Sequence, residues 1–180
     1  RLQERLAHQA SHDALTGLTN RAGLISQLFD AHQARRSAVE HSEMAILFVD
    51  LDGFKRTNDR YGHAVGDELL KVIAKRLASN VRDDVVVARL GGDEFVVLLT
   101  SVDGPQEPVA VARRLVAVVL EPIDVDGLRL QVGACIGVAL TGSGRGDDDP
   151  TDLLRCADLA VYAAKGRPGE HVTLYDDEMD

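Results

Sequence analysis

Two apolar runs, Val85-Val86-Val87-Ala88 and Val96-Val97-Leu98-Leu99, are joined by Arg89-Leu90-Gly91-Gly92-Asp93-Glu94-Phe95, and no other stretch of the chain constrains the fold as strongly. Short continuous apolar runs bounded by turn residues read as buried strands, so this segment is predicted to be a hairpin. Gly91 and Gly92 permit positive φ and let a ligand approach the backbone without meeting a Cβ. The hairpin therefore presents Asp93 and Glu94 at its tip. Acids held there suit a hard cation, and a cation so placed suits a phosphate.

The chain has 180 residues, 45% of them hydrophobic, which predicts one compact domain with a core large enough to stand alone. Its 20 basic and 29 acidic residues leave a net charge of −9, which argues against a nucleic-acid partner. An anionic substrate would need a metal ion or a local basic cluster. Cys135 and Cys156 show no CxxC or Cys-His spacing, which reads as reduced, metal-free cysteines in a cytoplasmic domain. There is no signal peptide, and no apolar stretch approaches the roughly 20 residues needed to span a bilayer; a membrane anchor would belong to other parts of the parent protein. The chain starts at Arg1 and ends in the acidic run Asp176-Asp177-Glu178-Met179-Asp180, and is expected to be a fragment of a longer polypeptide.

Residues 1–12 carry Leu2 and Leu6 among polar residues, which reads as the end of an incoming linker helix; residues 13–180 are expected to form the domain proper. Leu24, Leu28 and Ala31 share one face of a helix predicted over 20–38. Met44 to Val49 reads as a buried strand ending in Asp50-Leu51-Asp52, followed by an amphipathic helix with Leu69, Leu70, Ile73 and Leu77 inward. After the hairpin come a helix around Val109, Ala112, Val116 and Val119, strands over 128–132 and 134–140, and a Gly- and Asp-rich loop over 141–149. A helix over 151–165 and a closing strand over 172–175 complete the chain. This order predicts an α+β fold with an antiparallel-rich sheet covered by helices.

Asp50 and Asp93 are the two acids that follow apolar strands, and pairing of those strands in one sheet would bring them together as a Mg²⁺ site. Taken singly, either would also serve to solvate a sheet edge. The stretch from Asp50 to Asp67 is crowded with polar groups after a core strand. Asn58 offers donors and acceptors and Asp67 only acceptors, a combination able to read a guanine edge. Asp67 also suits the first turn of a helix, Asn58 a turn, and His63 a helix start. Lys55 and Lys165 could meet phosphate oxygens, although a cation near a helix C-terminus, as at Lys165, is favourable in any protein.

These residues fall into four ordered blocks: Asp13-Ala14-Leu15-Thr16-Gly17-Leu18-Thr19-Asn20-Arg21, the Asp50–Asp67 stretch, Arg89–Phe95, and Ala157-Asp158 with Tyr162-Ala163-Ala164-Lys165. In them the chain resembles the GGDEF domain, the diguanylate cyclase module. The resemblance implies a palm-like fold related to nucleotide cyclases, with a ferredoxin-like sheet. It also implies an enzyme that joins two GTP into cyclic di-GMP with release of two pyrophosphates, acting as a dimer in which each copy presents one GTP. By similarity, Asp50, the Leu51 carbonyl and Asp93 hold Mg²⁺, two ions per site with Mn²⁺ as a substitute. Glu94 supports that metal site, and Asp93 also matches the position of the family's base. Asn58 and Asp67 match the guanine readers with His63 beside them, Phe54, Lys55 and Lys165 match residues around the triphosphate, and Gly91 and Gly92 form the tip over the substrate.

The chain departs from the family pattern at two places. Arg82 remains of the RxxD product-binding motif, but position 85 is Val, and Asp84, one residue short, is expected to point elsewhere; product inhibition should be weak. Gly169 stands where the family often has a phosphate-binding Arg, with Arg167 nearby. The alternative to an active cyclase is a GTP-holding module that regulates an adjacent EAL-type phosphodiesterase domain, with a sensor domain on the N-terminal side.

Overall fold

The computed structural model describes residues 1–40, 42–142 and 149–180. Among these described residues, seven strands and six α-helices follow in the order α1 (Leu2–Ser11), α2 (Arg21–Ser37), β1 (Glu43–Asp52), α3 (Phe54–Tyr61), α4 (His63–Ser79), β2 (Val86–Gly91), β3 (Glu94–Val102), α5 (Gln106–Leu120), β4 (Ile123–Val125), β5 (Leu128–Leu130), β6 (Gly133–Leu140), α6 (Thr151–Lys165) and β7 (Val172–Leu174). Five strands form one sheet in the order β2-β3-β1-β6-β7, antiparallel except for the β6–β7 pair; β4 and β5 form a separate ribbon. The result is the palm-like α+β fold, with helices on both faces of the sheet. Among the described residues, no helix is long and apolar enough to cross a membrane.

Strand β1 is central because it pairs with β3 on one side and β6 on the other. Alternation along a strand sends successive side chains to opposite faces. Ala45, Leu47, Val49 and Leu51 therefore join a core with α4 and α5, while Met44, Ile46 and Phe48 join a second core with α2 and α6. A strand buried on both faces reads as an unbroken apolar run. The run breaks at Asp50 and Asp52, both only partly buried, where the strand leaves the layers.

The predicted helices over 20–38 and 151–165 form. Asn20 caps α2 by accepting the Gly23 N–H at 2.9 Å, a role that its side chain suits. In α5 the inward row is Pro108, Ala112, Leu115 and Val119, so Val109 and Val116 lie beside that row rather than in it. Two elements escaped the periodicity: α3, which is only eight residues long and mostly polar, and the short β4 strand. The loop expected over 141–149 lies largely outside the described residues. Helix α6 packs very close to β6, because a Cβ on Gly137 would collide with the Ala157 carbonyl and the Val161 nitrogen. That approach carries the end of α6, and Lys165 with it, to the end of β1.

Candidate functional site

The site lies where β1 and the β2–β3 hairpin end together. The hairpin register shifts between Arg89 and Gly91, then pairs Gly91 with Glu94 across a two-residue tip, Gly92-Asp93. Gly91 and Gly92 have φ of 138° and 51°, which side chains rarely adopt. The Asp93 carbonyl accepts the Leu51 N–H at 3.2 Å, fastening the tip to the end of β1. Directly paired residues on antiparallel strands share a face, so the Asp50↔Glu94 and Asp50↔Cys135 pairs place all three side chains together.

Charge is concentrated here. Burial and then the Asp50 charge push Asp93 above the ordinary carboxylate range. Burial, followed by Asp50 and Asp158, does the same to Glu94. Lys165 answers part of this charge: its Nζ lies 2.6 Å from Asp50 Oδ2 and 3.8 Å from Asp52 Oδ1. Burial opposes the charge on Lys165, but the bond to Asp50 outweighs it and raises its pKa. Crowded carboxylates that hold their protons too tightly are relieved by a divalent cation, and the donors here are hard oxygens that suit Mg²⁺. The residues present therefore fit such an ion.

The stretch after β1 folds as α3 and the start of α4. The Phe54 side chain is 7% exposed and belongs to the core, so its side chain is spent on packing at the start of α3. Lys55 is exposed in the first turn of that helix, and His63 is exposed at the start of α4. Asn58 leans on Gly66, whose missing Cβ leaves its amide the room it occupies. Its Oδ1 is buried against Gly66 with no hydrogen-bond partner among the described residues. Asp67, the next residue after Gly66, is exposed beside it. Gly66→Ala should evict the Asn58 amide with little loss of folding; if Asn58 reads the guanine nucleotide expected from the sequence, binding of a fluorescent GTP analogue should weaken roughly tenfold or more, the scale of one lost charged or polar contact.

Two residues that sequence reasoning did not single out complete the cluster. Asp52 shares a strand face with Asp50 by the period of two, and Asp158 lies seven residues before Lys165, two turns away on one face of α6. Both spacings were available as signals. Arg82, 58% exposed, meets Glu107 at 3.2 Å and Asp84 at 3.4 Å. Asp84 thus turns toward Arg82, contrary to the expectation that it would point elsewhere, because both precede β2 in a turn rather than in the strand. Gly169 has φ of 84°, and Arg167 pairs with Glu170 at 3.4 Å.

The start of the domain is fastened to the hairpin. Arg89 binds both oxygens of Asp13 at 3.1 Å and the Gly92 carbonyl through Nε at 3.1 Å and Nη2 at 2.9 Å. Burial works to raise the Asp13 pKa, but hydrogen bonds from Thr16 and Arg89 outweigh it and the net shift is downward. The stability this gives is complete above the ordinary carboxylate value and is lost as pH falls through the lowered one. Asp13→Asn should therefore be less stable than the parent at pH 7, and the gap should close in acid; urea melts at several pH values measure it.

A profile of the family described as "Diguanylate cyclase, GGDEF domain" matches residues 10–171. The diguanylate cyclase TpbB of Pseudomonas aeruginosa (strain UCBPP-PA14) is 44% identical over 170 residues, covering 92% of this chain and 38% of TpbB. The bifunctional diguanylate cyclase/cyclic di-GMP phosphodiesterase MucR of P. aeruginosa is 37% identical over 182 residues, 26% of its own length. The chain thus spans well under half the length of these relatives. The solved structure of an N-terminally shortened TpbB comprising only the GGDEF domain superposes with a TM-score of 0.85 at 37% identity, over 93% of this chain and 96% of that one.

Proposed function

We propose, from the premise that this chain belongs to the GGDEF domain family of diguanylate cyclases, that it condenses two GTP into cyclic di-GMP and two pyrophosphates as a Mg²⁺-dependent dimer. The observation that carries this reading is the convergence of Asp50, Asp93 and Glu94, distant in sequence, at one end of the sheet beside Lys165. Asp50, Asp93 and the Leu51 carbonyl would hold the metal, with Glu94 behind them. When bound, such ions acidify an attacking 3′-hydroxyl and offset charge on the departing pyrophosphate.

The side chains do the rest. Asp93, raised above the usual carboxylate range, is suited to accept the 3′-hydroxyl proton. Asp67 accepts from N–H groups of the guanine edge, Asn58 donates and accepts there, and His63 flanks them. Lys165 exchanges its carboxylate partner for phosphate oxygens, with Lys55 assisting from α3. Each copy brings one GTP, so the two 3′-hydroxyls attack across a dimer and a lone copy cannot complete the ring. The exposed α1, linked through Asp13 and Arg89 to the hairpin, is where a preceding sensor would set the pairing of two domains.

The test is to incubate the chain with GTP and Mg²⁺ at high and low protein concentration and separate the products. Cyclic di-GMP rising more steeply than linearly with protein supports the reading. GTP binding without product, at concentrations where the chain is dimeric, favours the regulatory module beside a phosphodiesterase domain, an arrangement for which the name of MucR offers a parallel. Product feedback through Arg82 should be weak, since Val85 offers no carboxylate and Arg82 is already paired; added cyclic di-GMP at micromolar concentration should leave the rate unchanged.

A further inference from the structure

The two cysteines have no metal-binding spacing in sequence, yet the fold brings a histidine to one of them. Cys135 sits opposite Asp50 and diagonal to Asp52, which pairs with Gly133. Its thiol donates to Asp52 Oδ2 at 3.2 Å. The His171 carbonyl accepts the Ile136 N–H at 2.7 Å, holding residue 171 beside the neighbour of Cys135. As a result one carboxylate oxygen, one sulfur and one ring nitrogen all lie within 4.8 Å of one another.

We propose that Asp52, Cys135 and His171 form a second divalent-cation site, selective for a thiophilic ion of the Zn²⁺ type, and that its occupancy turns down the neighbouring Asp50–Asp93 centre. The second half rests on the function proposed above; the first does not. One sulfur, one imidazole and one carboxylate, with water as fourth ligand, suit Zn²⁺ and not Mg²⁺, which keeps to oxygen. Cys135 Sγ and Asp52 Oδ2 already stand 3.2 Å apart, so ligand distances of about 2.0–2.3 Å require only the His171 nitrogen to close, by up to about an ångström. His171 is exposed, so its ring is reachable from solvent.

Binding replaces the thiol proton by the ion, so Cys–SH and M²⁺ give Cys–S–M⁺ and one proton released to solvent. Burial, then the Asp52 hydrogen bond, hold the thiol protonated, with its pKa pushed up to about 12; the ion supplies the opposing charge. Occupancy draws Asp52 away from Lys165 and sets a positive charge next to Asp50, which disfavours a second cation there.

Co²⁺ serves as the spectroscopic probe. One equivalent should give a near-ultraviolet thiolate-to-cobalt absorption that excess Zn²⁺ removes. The band should vanish in Cys135→Ser, weaken at least tenfold in apparent affinity in His171→Ala, and persist in Cys156→Ser and Asp93→Asn, with circular dichroism verifying each fold. In turnover assays Zn²⁺ should inhibit the parent chain at least tenfold, and Cys135→Ser should resist, each inhibition being taken relative to that variant's own Mg²⁺-dependent rate. No band in the parent, a band that follows Cys156, or one indifferent to His171 overturns the site. Equal Zn²⁺ inhibition of parent and Cys135→Ser overturns the regulatory half alone. A chain with the band and no cyclase activity keeps the metal site and sinks the proposed function.

Discussion

Asp93→Asn is expected to lower cyclic di-GMP formation at least about a thousandfold while leaving the melting temperature at or above that of the parent. In the proposed function Asp93 is a charged metal ligand and base, so withdrawing it would remove several kcal/mol of transition-state stabilisation, and about 4 kcal/mol is a factor of a thousand. The fold should not suffer. Asp93 is held above its ordinary pKa by burial and the Asp50 charge, so its negative charge opposes folding at neutral pH. The sign follows from linkage: a carboxyl with a raised folded pKa binds its proton more tightly when folded, and its contribution to stability falls as pH rises through that range. Removing the charge relieves that penalty. Product quantified by chromatography and a thermal melt, on the same preparation, separate the two effects.

Phe95→Ala should act in the opposite manner, through the fold. Phe95 is fully buried and among the largest such side chains; it follows Glu94 immediately and pairs with Val49 on β1 and Arg89 on β2. Truncating a buried Phe costs about 3–5 kcal/mol through lost transfer free energy and the cavity left behind. For a domain of this size that lowers the melting temperature by about 6–20 °C. Because the ring anchors the strand that carries Glu94 and the tip, the remaining folded protein should also lose activity. A denaturant melt with unchanged slope and a lower midpoint verifies that the loss is one of stability.

The hairpin and its acids could be read from sequence because two valine-rich runs flanked a glycine pair, a pattern with few structural interpretations. Strand β1 was legible for the same reason: burial on both faces leaves an unbroken apolar run. What could not be read was short or contingent on contact. Helix α3 is one polar segment whose helicity is held by Phe54 and Thr57 against the core, a tertiary effect that local pattern does not carry. The three-residue strand β4 is below the length at which alternation is measurable. Within the site, Asp50, Asp93 and Lys165 were legible as strand-end and helix-end charges. Their company was not: Cys135 and His171 stand 36 positions apart in the chain and meet only because β7 joins the sheet beside β6. Asp84 shows the same limit, since whether a side chain turns toward Arg82 depends on a turn and not on strand alternation.

Anomalous diffraction from crystals grown with Mn²⁺ and a non-hydrolysable GTP analogue measures the convergence of the acids directly. A manganese peak bonded to carboxylate oxygens of both Asp50 and Asp93, with the base of the analogue against Asn58 and Asp67, is the expected result. A peak held by one of these acids without the other, or a nucleotide seated elsewhere on the domain, would contradict it.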